Sequence, residues 1–276
     1  LMGMLFYLDI VRRSGEKYLI SPSANLHFVS TSNYYQGDII LALAEQQSPW
    51  NDLKTYLTSP DTKATFDQET PLMGAARQEQ EIRGMVKNIT TVVTRWAGFK
   101  EADSFLEIGT GHGLYAMAAC QAHPTLTAAV LVQPTCSDLL KQNIVRHGMK
   151  DRVSSLAGQP GSLPDKTYDI ILASHSLYAD QGRLNEIVAD ICSHLNDGGL
   201  FISNHWFIRP SEGTGMQGLY ELELGMHNRY HAIADREGFE KICGENGLAI
   251  FQTGVLRSAY GESTIHMATK SKGEAT

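Results

Sequence analysis

The residues that could carry chemistry start with Glu107-Ile-Gly-Thr-Gly-His-Gly113. Gly109, Gly111 and Gly113 stand at every second position behind a short apolar run, Phe105, Leu106 and Ile108, and Leu114 to His123 then reads as a helix. A strand, a glycine turn and a helix make the first unit of a nucleotide-binding α/β sheet. Glycine is needed there because the turn is tight and a ligand lies against bare backbone that a Cβ would block. The helix N-terminus beyond it favours negative charge and offers free N–H donors. Two details narrow the motif: Glu107 stands two residues before the first glycine, and the third glycine follows the second by two residues, not three. An ordinary α/β turn with no ligand is the plain alternative.

Further along, His175 and His205 each follow the end of an apolar run that reads as a strand, which places them on the ligand side of such a sheet. His175 is the better general-base candidate, and Tyr178 is a hydrogen-bond donor that could orient donor or acceptor. For each histidine the alternative is a structural imidazole bonded to backbone. His227 and His231 are four apart and would share a helical face, but such a pair is usually coincidence and no metal is expected.

These groups need a scaffold. A chain of 276 residues with 42% hydrophobic content supports a sizeable core, in one large domain or two small ones. A net charge of −7 argues against nonspecific nucleic-acid binding, which needs clustered Lys and Arg. No run of about 18 apolar residues is present, so no membrane span is expected. Leu1 to Leu8 is apolar but lacks the features of a signal peptide. Cys120, Cys136, Cys192 and Cys243 are scattered with no CxxC, which reads as buried, reduced thiols of a cytoplasmic protein.

In chain order, residues 1–13 read as an apolar helix, followed by a turn at Ser14-Gly15-Glu16 and a strand at Lys17 to Ile20. Helix, turn and strand are how a winged-helix unit finishes, here truncated or shortened, and a free apolar helix suggests a dimer interface. Helices are expected at Asp38 to Gln47, Trp50 to Leu57 and, as one long element closed by Gly98, Gln78 to Trp96. Tyr34, Tyr35, Met73 and Met85 are pocket candidates, with plain core as the alternative. From Phe99 strands and helices alternate. Strands are expected at 126–132, 152–157, 168–173 and 200–203, and helices at 137–147 (closed by Gly148), 181–195, 216–229 and 232–246. Two closing strands follow at 248–257 and 263–269, antiparallel to each other. This alternation implies a parallel sheet covered on both faces.

Glu-Ile-Gly-Thr-Gly-His-Gly resembles motif I of the class I S-adenosylmethionine-dependent methyltransferases. Leu195-Asn-Asp-Gly-Gly-Leu-Phe-Ile-Ser203 and Gly148-Met-Lys-Asp-Arg-Val153 extend the resemblance to the small-molecule O-methyltransferases. The resemblance implies a Rossmann-like, seven-stranded α/β sheet over residues 99–276. A mainly helical, truncated winged-helix-like region, 1–98, precedes it and serves dimerisation and the substrate lid. It also implies S-adenosylmethionine as cofactor. Glu107, Gly109, Thr110, Gly111 and Gly113 would hold its methionine and ribose end, the end of the second strand (Val132, Gln133) the ribose, and Gln159 the adenine. Ser174 and the residues after it would face the methyl group. The resemblance places Met226, His227, Arg229 and Tyr230 in the segment that closes over the acceptor.

Three positions depart from the family pattern. Val132 stands where an acid usually takes both ribose hydroxyls, a contact of about 1.5–3 kcal/mol per charge-assisted bond. Gln159 stands where an Asp reads the adenine amine. In Ser174-His-Ser-Leu-Tyr-Ala-Asp180, Tyr178 occupies the place of the usual His base. The expected activity is methyl transfer to a small-molecule acceptor, oxygen first, by a homodimer that binds neither nucleic acid nor membrane. The competing reading is a methyltransferase-fold protein with a lost or altered cofactor site, acting as a non-methylating enzyme or as a ligand-binding or regulatory dimer.

Overall fold

The computed structural model describes residues 1–45, 54, 58, 71–109, 111–178, 181–207, 233, 235–258 and 261–271. The first elements are helix α1 (Met2–Tyr7), strands β1 (Val11–Ser14) and β2 (Lys17–Ile20), and helices α2 (Pro22–Phe28), α3 (Gly37–Glu45), α4 (Pro71–Ile82) and α5 (Met85–Arg95). The α/β part follows: β3 (Ser104–Ile108), α6 (Leu114–Ala122), β4 (Thr127–Leu131), α7 (Ser137–Arg146), β5 (Val153–Leu156), β6 (Tyr168–Ser174), α8 (Leu184–Ser193), β7 (Leu195–His205), α9 (Arg236–Glu245), β8 (Leu248–Ser258) and β9 (Gly261–Lys270).

Strands β3 to β9 form one seven-stranded sheet in the order β5-β4-β3-β6-β7-β9-β8. The five strands from β5 to β7 are parallel, and β9 pairs antiparallel with both β7 and β8. The order reverses between β3 and β6, and in sheets of this kind ligands bind beyond the carboxyl ends at that reversal.

Both faces of the sheet are covered, and alternation along each strand decides which residue goes where. Phe105, Val130, Ile170, Leu172 and Ile202 pack under α5 and α6, against Met85, Ile89, Val93 and Met117. Leu106, Ile108, Leu131, Ile171, Ala173 and Phe201 face the other side, against Ile187, Val188 and Ile191 of α8 and Phe239 of α9. The Asp169 carboxylate ties three strand starts together: Oδ2 accepts from Asp103 N, Ser104 N and Ser104 Oγ, and Oδ1 accepts from Asn196 Nδ2. All four cysteines are buried free thiols. Among the described residues no helix is long and apolar enough to cross a membrane.

Four expectations are corrected. The first helix ends at Tyr7, not at residue 13. Gly15, with φ of 63°, turns the chain so that Val11–Ser14 pairs with Lys17–Ile20 as a hairpin. The long helix at 78–96 is two helices, because Gly84 (φ 150°) breaks it; Trp96, not Gly98, ends the second, and a 3₁₀ turn follows over Ala97–Glu101. The fifth strand of the sheet starts at Leu195, five residues early, because Tyr168 pairs with Leu195 before the Gly198-Gly199 irregularity. The helix at 232–246 starts only at Arg236, since Ile233 bridges to Phe207. The helices placed at 50–57 and 216–229 lie outside the described residues, apart from the single residue Lys54.

Candidate functional site

Gly111 (φ 78°) and Gly113 (φ 75°) are both left-handed, which lets the chain leave β3 and enter α6 within a few residues. At Gly113 a Cβ would meet Leu140 Cδ1 at 2.5 Å, and at Gly111 it would meet Val132 Cγ2 at 3.2 Å. The loop is therefore pressed onto α7 on one side and the end of β4 on the other.

Glu107 is fully buried beneath this loop. Its Oε2 accepts the Ala116 N–H at 2.8 Å, while His112 Nδ1 accepts the Leu114 N–H at 3.1 Å. Two first-turn donors of α6 are thus capped from within the motif, a correction to the expectation that they are free. Glu107 Oε1 has no hydrogen-bond partner among the described residues. Burial, with the Glu81 charge adding to it, pushes the Glu107 carboxyl up to about 7. Burial also holds His112 down at about 3, so its imidazole is neutral.

Residues the sequence reading missed complete the surroundings. Helix α4 lays Glu81 over the loop, where it accepts the Tyr115 hydroxyl proton. Burial raises the Glu81 carboxyl to about 7, against the Tyr115 bond and the Arg77 charge. Asn143 donates to His112 O at 2.9 Å and to Gln78 Oε1 at 2.6 Å, fixing the loop backbone to α7 and α4. The available signal was Tyr115 itself, a phenol in the first turn of a buried helix, where its hydroxyl needs a partner.

At the ends of β6 and β7 the structure brings Ser174, His175, Tyr178 and His205 together. His175 takes a left-handed conformation (φ 50°), held by its N–H on Asn204 O at 2.9 Å. Its Nδ1 lies 2.7 Å from the Tyr178 hydroxyl, which also accepts the Trp206 N–H at 2.9 Å. Its Nε2 lies 3.3 Å from Asn204 Nδ2, which also reaches Ser174 Oγ at 3.1 Å. Burial, then the Arg77 charge, lowers His175 to about 4. His205 is completely buried. Its Nε2 accepts from Ser176 N and Leu177 N, both at 3.3 Å, and its Nδ1 pairs with Ser203 Oγ at 2.8 Å. Burial, then His175 and His266, hold it neutral.

Val132 is 8% exposed and packed on Gly111, so it offers no hydrogen bond at the end of β4. Gln133 and Gln159, beyond β4 and β5, are exposed. Their amides both donate and accept, which suits the hydroxyls and ring nitrogens of an adenosine. The glycine loop with these two amides fits S-adenosylmethionine, with a neutral amide where a carboxylate is usual. Thr110, Met226, His227, Arg229 and Tyr230 lie outside the described residues.

A family model described as a methyltransferase domain matches residues 77–253, more than half of the chain. The chain belongs to this methyltransferase family. An N,N-dimethyltransferase, OxyT, of Streptomyces rimosus is 23% identical over 95% of the chain and 79% of its own length. An uncharacterised protein of Methanocaldococcus jannaschii is 24% identical over 68% of the chain, which spans only half of that relative. Among solved structures, an O-methyltransferase family protein from Burkholderia thailandensis superposes with a TM-score of 0.77 at 18% identity, over 99% of this chain and 83% of the other. Human N-acetylserotonin methyltransferase in complex with S-adenosylmethionine superposes with a TM-score of 0.73 at 14% identity, over 98% and 81%.

Proposed function

We propose that this protein transfers the methyl group of S-adenosylmethionine to a small organic acceptor through an oxygen or nitrogen nucleophile. The observation that carries the reading is the glycine turn after β3 at the reversal of strand order, packed on Val132, with Gln133 beyond β4, Gln159 beyond β5, and His175 and Tyr178 following β6. The cofactor supplies an already activated methyl group, so the protein's task is alignment and exclusion of water. In this reading Gly109, Thr110, Gly111 and Gly113 present bare backbone to the methionine end, and Gln133 takes over part of the ribose recognition that Val132 cannot give. Gln159 reads the adenine. His175 and Tyr178 face the transferring group, with Ser174 and His205 behind them, and Met226, His227, Arg229 and Tyr230 contact the acceptor.

Residues 1–98 would act as a dimerisation and lid region in a cytoplasmic homodimer. In support, α1 buries none of its residues, and Leu1, Met4, Phe6, Tyr7 and Leu8 are all exposed. Oxygen is the acceptor named for the Burkholderia neighbour's family and nitrogen that named for OxyT. A dialysed preparation given methyl-labelled S-adenosylmethionine and a small-molecule acceptor library tests the reading. Labelled product is the expected result, and cofactor binding with no transfer to any acceptor would favour a fold that has lost the reaction.

A further inference from the structure

We infer that the cavity between the end of α5 and strands β8 and β9 is a second small-molecule site, one that takes a planar aromatic carboxylate. It lies apart from the glycine turn, and the inference does not depend on the methyltransferase reading above.

The cavity has a volume of about 430 Å³, within the range of about 300–1,000 Å³ usual for small-molecule pockets. The end of α5 supplies one wall, through Arg95 and Trp96. Strands β8 and β9 supply the other, through Phe251, Gln252, Met267 and Thr269. Met267 and Thr269 are two apart on β9 and so share a face of the sheet. The β8 side of this wall is made by a bulge. The ladder steps from Ile250 paired with Ala268 to Gln252 paired with Met267, which leaves Phe251 as an extra residue. Successive strand residues normally point to opposite faces, yet Phe251 and Gln252 both line the cavity, because the bulge breaks the alternation. Each wall therefore brings one aromatic side chain, Trp96 or Phe251, and the buried Met267 adds a further apolar surface. Phe251 is 52% exposed, and a flat ring in the cavity would take that surface out of water.

The polar groups set the ligand class. Among the described residues the lining carries one charge, the guanidinium of Arg95, exposed in the last turn of α5. A guanidinium holds a carboxylate through two parallel N–H bonds. Gln252 and Thr269 add neutral groups that both donate and accept. Two aromatic side chains, an apolar surface and one cation match a flat ring system that bears a single carboxylate, whereas a cationic ligand would meet Arg95 as a like charge. The sheet order separates this site from the cofactor loop. Strand β8 is four strands from β3, about 19 Å across the sheet at the usual strand spacing. The glycine turn follows β3, so the two sites are filled independently.

The test is calorimetric titration of the intact protein with naphthoate, and with naphthalenemethanol and naphthylmethylamine as the neutral and cationic partners of the same ring. The expected result is a Kd for naphthoate below about 100 μM, with both partners at least about tenfold weaker. Saturating S-adenosylhomocysteine should not displace it. Arg95→Gln removes the charge and Phe251→Thr removes one aromatic wall, and each should weaken naphthoate binding about tenfold or more. Both side chains are exposed, so both variants should melt with the parent. Absence of naphthoate binding at about 1 mM overturns the inference. So does binding that either variant leaves unchanged, equal binding of the alcohol, or displacement by S-adenosylhomocysteine. Failure of S-adenosylhomocysteine itself to bind would remove the methyltransferase reading and leave this site standing.

Discussion

Glu107 accepts the Ala116 N–H at 2.8 Å, so the end of β3 caps the helix that follows the glycine loop. The acid of the motif is therefore part of the loop's architecture. Glu107→Ala leaves a buried N–H without a partner and should cost about 1–3 kcal/mol in chemical denaturation. Glu107→Gln keeps an acceptor and should lose less than half of that. The folded carboxyl is raised to about 7, above its unfolded value. Its contribution is thus fully present below the unfolded pKa and is lost as pH rises through about 7. Denaturation at several pH values should show a steeper fall over this range in the parent than in Glu107→Gln, where Glu79 and Glu81, raised to the same range, still contribute.

Gly113 combines a φ of 75° with a Cβ position 2.5 Å from Leu140 Cδ1. Gly113→Ala should cost about 2–4 kcal/mol, the sum of strain and overpacking. Gly15 has a similar φ of 63° but nothing within 4 Å, so Gly15→Ala should cost only about 1 kcal/mol. Equal losses in the two variants would show that the contact with α7 is not what fixes the loop.

Asp169 is desolvated, which raises its pKa, but its hydrogen bonds to Asn196, Asp103 and Ser104 outweigh this and hold it below the usual carboxylate range. A depressed folded pKa gives stability that is present above the unfolded pKa and disappears as pH falls through the folded one. Asp169→Asn should lose about 1–3 kcal/mol at pH 7, and parent and variant should converge in acid. A difference that stays constant down to pH 2 would contradict this.

On the proposed reading His205 is a positioning residue, because its Nε2 accepts the Ser176 and Leu177 amides after β6. His205→Leu should lower the rate of methyl transfer by about tenfold or more while leaving S-adenosylhomocysteine affinity within a few-fold. The parent's rate profile should show no ionisation of His205 between pH 5 and 8, since burial keeps it neutral.

The middle of the sheet is legible in the sequence because β3, β4, β6 and β7 are buried on both faces. Ile170, Ile171 and Leu172 form a continuous apolar run, and Phe105, Leu106 and Ile108 form one broken only by Glu107. Gly148 and Gly247 mark helix ends for a conformational reason, with φ of 66° and 81°. What failed was local competition and long-range pairing. Gly84 inside a good helical pattern gives no hint that it breaks the helix, and Arg12 and Arg13 carry no sign that they leave a helix for a hairpin. Glu107 and the three glycines declare the loop, but nothing near Tyr115 announces Glu81, which lies 34 residues away. His175 and Tyr178 were found as residues, while the hydrogen bonds that hold them depend on Asn204, in β7, and Trp206, just after it.

The most direct test is calorimetric titration of S-adenosylhomocysteine into the parent and into Val132→Asp. The account predicts micromolar binding by the parent, with the glycine loop, Gln133 and Gln159 sufficient. It predicts about tenfold tighter binding by Val132→Asp, where a carboxylate can accept the ribose hydroxyls. No binding by the parent, with binding appearing only in Val132→Asp, would contradict the account and mark the end of β4 as the place where the cofactor site was dismantled.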